Sequence, residues 1–296
     1  MKAIACNPNM LWRRVAWTTV LAVGACHLLT TGSSAQQGGA ATKGRLNQII
    51  AQFEQGKPAF ANEHWRLFGI EHNPFALDDL EKGLADLRPA GSTRPRLTPV
   101  VRIEYEGDQD FKHAVKQYLD VGVMGIVVPQ VRKAEEVRKL VSAMRYPPQK
   151  VLTKVPREPV GVRGVAAGRA GAYWGLTPDE YATKADVWPL NPEGELLAIV
   201  MIEHIDAVRN IREILSVPGL GAILIGQSDL VISMGLGTPA ATEAAQNKPE
   251  VQAAVAEVAK ACVELKKLCG TFQGDIKTRV AQGIRLFTQQ RGDYRD

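Results

Sequence analysis

Residues 197–203 read Leu-Ala-Ile-Val-Met-Ile-Glu, and residues 221–229 read Gly-Ala-Ile-Leu-Ile-Gly-Gln-Ser-Asp. Each is an unbroken apolar run of strand length closed by polar residues. Such a run has no polar face to offer water, so it predicts a strand buried on both sides, as in a parallel sheet covered by helices. Between the two, residues 205–215 carry apolar residues at helical spacing, which makes the unit strand, helix, strand.

The alternation extends in both directions. Strands are expected at 58–61, 65–70, 98–103, 125–128, 197–202, 221–225, 271–272 and 284–288. Helices are expected where Leu46, Ile49, Ile50 and Phe53 repeat, and at 76–87, 110–120, 133–144, 205–215, 249–268 and 276–282. Eight such units predict an α/β fold of the (β/α)8 TIM-barrel kind, whose chemistry sits at the C-terminal ends of the strands. A doubly wound open sheet is the competing arrangement, but no G-x-G-x-x-G follows the first strand. Two barrel parts are absent from the pattern. Hardly any residues separate Ala61 from Trp65, so the first strand lacks its helix, and Asp296 follows the eighth strand too soon for a C-terminal helix. The flank thus exposed must be covered by the N-terminal helix, by a partner subunit, or not at all.

The 296 residues carry a formal charge of +5, which would suit an anionic partner. Residues 1–35, however, hold Lys2, Arg13 and Arg14 and no acid, so the remainder has 33 basic and 31 acidic residues, or +2. No basic run interleaved with aromatics is present, and nucleic acid is not an expected partner. Residues 1–35 read as a secretory signal: a positive start, an apolar stretch from Val15 to Leu29 too short to span a membrane comfortably, and small residues Ser33-Ser34-Ala35 at a cleavage site. Export, to the periplasm, is the expectation. An uncleaved anchor, or lipidation at Cys26 within Val23-Gly24-Ala25-Cys26, are the alternatives. Residues 36–44 are expected to form a flexible lead-in, and 45–296 the barrel domain. Cys262 and Cys269 fall on one expected helix, about 10 Å apart, too far for a disulfide.

Strand ends name the candidate site. Strand two ends in Glu71-His72, strand three in Val101-Arg102, strand five in Ile202-Glu203 and strand six in Gly226-Gln227-Ser228-Asp229. Two carboxylates from neighbouring strands, Glu203 and Asp229, form a hard-oxygen pair suited to Mg²⁺ or Mn²⁺, with positions left for water or substrate. A small 2-oxo acid would chelate such a metal, which would stabilise an enolate. Arg102 would add fixed positive charge, His72 would move protons, and residues 226–228 would offer backbone N–H groups to a carboxylate. Taken singly, Glu203, Asp229 and Arg102 are equally read as structural ion-pair residues, and His72 as a packing or capping residue. A Schiff-base aldolase would need a lysine inside a strand, and no core strand has one.

Several stretches resemble the HpcH/HpaI aldolase family, which includes 2-oxo-3-deoxy acid aldolases and citrate lyase β relatives. They are Ile70-Glu71-His72-Asn73-Pro74-Phe75, Pro99-Val100-Val101-Arg102, Leu119-Asp120-Val121-Gly122, Arg145-Tyr146-Pro147-Pro148, Gly161-Val162-Arg163-Gly164 with Arg169-Ala170, Ile202-Glu203, and Gly226-Gln227-Ser228-Asp229-Leu230. The resemblance implies Glu203 and Asp229 as metal ligands, Arg102 beside the 2-oxo oxygen and His72 as catalytic base. It implies that Asp120 pairs with that histidine, in relatives from a neighbouring subunit, and hence a possible homo-oligomer. On the residues alone, Asp120 is a helix-end loop residue. Position 69, three before the histidine, is Gly where the family usually has Asp. No role is assigned to Trp188-Pro189-Leu190-Asn191-Pro192. The expected activity is metal-dependent cleavage of a hydroxy-2-oxo acid to pyruvate, or a similar acid, plus an aldehyde. The alternatives are a catalytically impaired barrel that binds a small oxo acid in the cell envelope, and a citrate-lyase-like acyl thioester lyase.

Overall fold

In the computed structural model, which describes residues 44–73, 77–149 and 156–295, eight parallel strands stand side by side with helices outside them. The strands are β1 (Ala59–Phe60), β2 (Trp65–Gly69), β3 (Thr98–Arg102), β4 (Gly125–Val128), β5 (Leu197–Ile202), β6 (Leu220–Ile225), β7 (Leu268–Thr271) and β8 (Leu286–Phe287). Their order is β1-β8-β7-β6-β5-β4-β3-β2, a sheet curled into a nearly closed (β/α)8 barrel. The signal segment, the lead-in up to residue 43, Cys6, Cys26, and Pro74-Phe75 of the quoted motif lie outside the described residues.

Strand parity places the core. Trp65, Val100, Val127, Ile199, Met201, Ala222, Leu224 and Leu286 fill the barrel interior. Their neighbours Val101, Ile126, Val200, Ile223 and Phe287 face outward, where the helices cover them. Both faces are therefore dry, which is why the strands are continuously apolar.

The helices are α1 (Gln48–Glu54), α2 (Leu77–Leu87), α3 (Lys112–Val121), α4 (Ala134–Met144), α5 (Ala167–Trp174), α6 (Pro178–Lys184), α7 (Ile205–Arg209), α8 (Ile211–Leu215), α9 (Gln227–Ser233), α10 (Thr242–Ala245), α11 (Pro249–Glu264) and α12 (Ile276–Ala281). The run expected at 205–215 is broken at Asn210, which caps both pieces. The helix expected to reach residue 268 stops at Glu264, because Lys266 turns left-handed at φ +52° and Lys267 N–H bonds back to the Cys262 carbonyl at 2.8 Å. Leu268 and Cys269 then belong to β7, earlier than the strand expected at 271–272. Cys262 and Cys269 thus sit on a helix and a strand, not on one helix; both are buried and free.

No helix follows β1, as expected, and the β1–β2 seam is a single bridge, Ala61 to Trp65. The Trp65 indole spans the gap, donating to the Phe287 carbonyl at 3.2 Å. Among the described residues no helix follows β8 either. The flank left bare is covered by the segment after β8: Arg291 lies 4.6 Å over the Phe60 ring and grips Glu63 at 2.8 Å, and the Tyr294 ring is 5.8 Å from Phe60. Helix α1 instead plugs the base of the barrel. Asn47 caps it and donates to the Glu195 carbonyl at 3.1 Å, Gln48 N–H reaches Thr98 Oγ1 at 2.7 Å, and Ile49 and Ile50 are fully buried in the interior cluster. Trp188 of the unassigned segment packs edge-on against Phe53 of α1, 5.6 Å between centroids, which gives that segment its role in closing the base.

Candidate active site

Parity also decides which strand-end side chains enter the mouth. Trp65 and Leu67 point inward, so Gly69 and Glu71 share their side. Val100 points inward and so does Arg102; Ile199 and Met201 point inward and so does Glu203. Glu71, Arg102 and Glu203 therefore gather over the barrel axis. His72 has the opposite parity, and its side chain is 70% exposed at the rim.

Glu203 is the deepest of the group, 1% exposed. Its Oε1 accepts the Gln130 backbone N–H at 2.7 Å, and Gln130 holds the left-handed φ of +53° at the end of β4 to aim that donor. Non-glycine residues adopt this conformation at a cost of about 1–3 kcal/mol, so the surroundings hold it in place. Gly226 supplies the other wall: a Cβ there would stand 2.9 Å from Glu203 Cβ, and closer to its carboxylate. Burial, reinforced by the neighbouring Asp229 and Glu71 carboxylates, pushes Glu203 up to about 8, against the Gln130 N–H and Arg102. Asp229 is exposed, the third residue of α9, where a helix begins immediately after β6. The sequence placed these residues at the end of strand six and indicated no helix there. The Gln227 side chain is buried and committed to Thr271 and Gln273, and Ser228 Oγ accepts from Gln246 at 3.1 Å.

Arg102 lies between Glu71, 2.9 Å away at Nη1, and the Phe272 ring, 5.7 Å away. The charges of Arg102 and Glu71 touch without a hydrogen bond; Nη1 donates to Met201 Sδ at 4.0 Å, and Glu71 Oε2 and Arg102 Nε are both buried without a hydrogen bond. Burial, opposed by Arg102 and His72, raises the Glu71 carboxyl. His72 Nε2 is 3.6 Å from the same Glu71 oxygen. Gly69 pairs with Arg102 across the β2–β3 ladder, and a Cβ on it would lie 3.7 Å from Arg102 Nη2. The carboxylate on this guanidinium is thus supplied from position 71. Glu71 and Gln130 are site residues the sequence reading missed. Parity with Trp65 and Leu67 could have found Glu71; nothing local marks Gln130.

Asp120 is not brought to His72 within the chain. It stands at the C-terminal end of α3, outside the barrel wall, where its Oδ1 bonds Arg163 Nη2 at 2.9 Å. Arg163 is buried, also donates to the Tyr181 hydroxyl at 2.8 Å, and lies 4.7 Å over the Tyr146 ring. A cleft of about 350 Å³ beside it is lined by Gln117, Asp120, Gly168 and Arg169. Removing one partner of such a pair leaves a buried charge unmatched, at about 3–5 kcal/mol. Asp120→Ala should therefore lower Tm by on the order of 10 °C in a thermal melt. An unchanged Tm would refute the structural part of its role.

The family model for HpcH/HpaI aldolase/citrate lyase matches residues 65–281, which run from β2 to the end of α12. The chain belongs to the HpcH/HpaI aldolase/citrate lyase family. It is thereby an aldolase-family lyase. It is 34% identical to a hydroxypyruvate/pyruvate aldolase of Cupriavidus necator over 73% of this chain and 68% of that protein. It is 35% identical to a 2-keto-3-deoxy-L-rhamnonate aldolase of Klebsiella pneumoniae over 58% of this chain and 54% of that one, so it spans about half of that relative's length. A crystal structure of a family member from Burkholderia cenocepacia shares the fold with a TM-score of 0.65 at 24% identity, over 82% of this chain and 92% of that one.

Proposed function

We propose that this chain is a class II aldolase that uses a divalent metal to cleave a hydroxy-2-oxo acid into pyruvate, or a similar 2-oxo acid, and an aldehyde. The observation that carries the reading is the gathering of Glu203, Asp229 and Arg102 at one mouth, within reach of each other's fields. The family's class II members depend on a divalent metal, and the donor set here suits one. Glu203 is buried beside the Asp229 and Glu71 carboxylates; Arg102 contacts Glu71, and a hard dication would supply counter-charge to the other two. Among the described residues no three His, Cys, Asp or Glu side chains enclose an ion, so Glu203 and Asp229 as ligands would leave most positions to water or substrate. Mg²⁺ and Mn²⁺ both suit oxygen ligands of this kind. The metal supplies a Lewis acid that stabilises negative charge developing on the substrate's 2-oxo oxygen.

The protein's own groups divide the remaining work. Arg102, held by Glu71, presents fixed positive charge to the same oxygen. His72, at the rim beside Glu71, takes the proton of the substrate hydroxyl as the carbon–carbon bond breaks and the aldehyde forms. The bond's electron pair passes to the enolate, which is then protonated at carbon. Relatives named as aldolases of hydroxypyruvate and of 2-keto-3-deoxy-L-rhamnonate support this substrate class. The half-reaction needs no aldehyde. The purified protein with Mn²⁺ should exchange the pyruvate methyl protons in deuterated water, followed by NMR, and should not do so with a chelator. Metal binding without exchange would favour the oxo-acid-binding barrel.

The proposal extends to placement. Residues 1–35 act as an export signal, with Cys26 as the point of any lipid anchor; among the described residues no helix is long and apolar enough to cross a membrane. Within one chain the acid beside His72 is Glu71, so pairing of His72 with Asp120 would need Asp120 from a second copy.

A further inference from the structure

Arg279, on α12, is 4% exposed, yet Nη1 and Nη2 meet amides and no acid, and Nε is buried without a hydrogen-bond partner. Nη1 donates to Gln282 Oε1 at 2.9 Å, and Nη2 to Gln252 Oε1 at 3.0 Å and to Gln227 Oε1 at 3.4 Å. The neighbouring acid, Asp275, is spent on capping the same helix through Thr278. Gly274 makes room for the guanidinium, since a Cβ there would lie 3.1 Å from Arg279 Cζ and closer to Nε. Burying a charge among neutral partners is costly, so the arrangement calls for a function.

The amides form a closed ring that ends on α9. Gln227 Oε1 accepts from both Arg279 and Gln252, which fixes its amide the one way round that points Nε2 to Thr271 Oγ1 and the Gln273 carbonyl. Gln252 also donates to the Gln246 carbonyl at 2.6 Å, and Gln246 Nε2 donates to Ser228 Oγ at 3.1 Å. The two residues before Asp229 are thus both tied to the arginine's ring. The first turn of α9 has no side-chain cap of its own to orient it. The two Nη nitrogens of the planar guanidinium hold three amide oxygens from one buried point, in a fixed geometry that a flexible ammonium does not supply.

We infer that Arg279 is a positioning residue that fixes the first turn of α9, and with it the placement of Asp229 at the mouth. The role in catalysis rests on the aldolase reading above; the ordering of α9 does not. The test is Arg279→Met, with Arg279→Lys as the conservative partner and Gln252→Met as a neutral cut in the ring. Hydrogen exchange followed by mass spectrometry should show residues 227–233 losing about tenfold of their protection in Arg279→Met while β5 and β6 keep theirs. Mn²⁺ affinity, read by electron paramagnetic resonance, should weaken about tenfold or more, KM for pyruvate exchange should rise more than kcat falls, and Lys should recover part of both. Native protection of 227–233 in Arg279→Met overturns the inference. So does protection lost evenly over the barrel, which is what a merely structural arginine would give. If Arg279→Met does not fold, Gln252→Met decides by the same exchange measurement. Should the wild type bind no Mn²⁺, the aldolase reading fails while the exchange result still decides the role of Arg279.

Discussion

Glu203→Gln should abolish Mn²⁺ binding and slow pyruvate proton exchange about 10³-fold, while leaving a folded and more stable metal-free protein. The amide keeps the bond from Gln130 N–H at one oxygen and cannot ionise in a dry site. The pH dependence follows from the direction of the shift. Burial raises the Glu203 carboxyl to about 8, so the folded state holds a proton that the unfolded chain releases at ordinary carboxylate pH. Stability of the metal-free wild type should therefore fall as pH rises from that range towards 8, and the Gln variant should flatten the slope. Metal binding runs the other way. A ligand must be deprotonated, so Mn²⁺ affinity should climb about tenfold per pH unit up to about pH 8. Thermal melts at several pH values with and without Mn²⁺ check both slopes. A Gln variant that binds Mn²⁺ like the wild type removes Glu203 from the ligand set.

Arg102→Met should lower kcat/KM for aldol cleavage about 10²–10³-fold, the usual loss when one preorganised donor to a developing oxyanion is removed. Arg102→Lys should recover little. The guanidinium touches Glu71 with Nη1 while Nη2 faces Gly69, and an ammonium cannot span both. The Met variant also leaves Glu71 half-buried without its cation, so a Glu71→Gln/Arg102→Met double variant should regain stability but not rate. Steady-state kinetics beside thermal melts separates the two effects. Activity within a few-fold of wild type in Arg102→Met would discard the assigned role.

The barrel was legible because its strands are dry on both faces: β4, β5 and β6 are continuously apolar, and length plus β-branching distinguishes them from helices. The short helices α5 and α9 were not, since Ala-Gly-Arg and Gly-Gln-Ser lack an apolar period long enough to register. The end of α11 was misplaced because Leu265 and Leu268 continue helical spacing, while the left-handed turn at Lys266 that stops the helix has no glycine to announce it. At the site, parity and strand ends sufficed for Glu203 and Arg102, whose neighbours on the strand face the interior. They did not suffice for Asp120, whose partner Arg163 is 43 residues away in sequence. Nor could they find Gln130, whose part rests on backbone conformation, or Arg279, whose three amide partners are spread from residue 227 to residue 282.

The seam between β1 and β2 also bears on how the chain acquires its shape. Trp65 is fastened to Phe287, 222 positions later, and Phe60 is sheltered by Arg291 and Tyr294. During synthesis the N-terminal side of that joint emerges long before its counterpart, leaving two strand edges unsatisfied and an indole without its acceptor. Closure is thus a late, long-range event with a high loop-closure cost, of the kind that folds slowly and exposes sticky edges meanwhile. A nascent chain stalled before residue 291 would be the species that a holding chaperone would have most to grip.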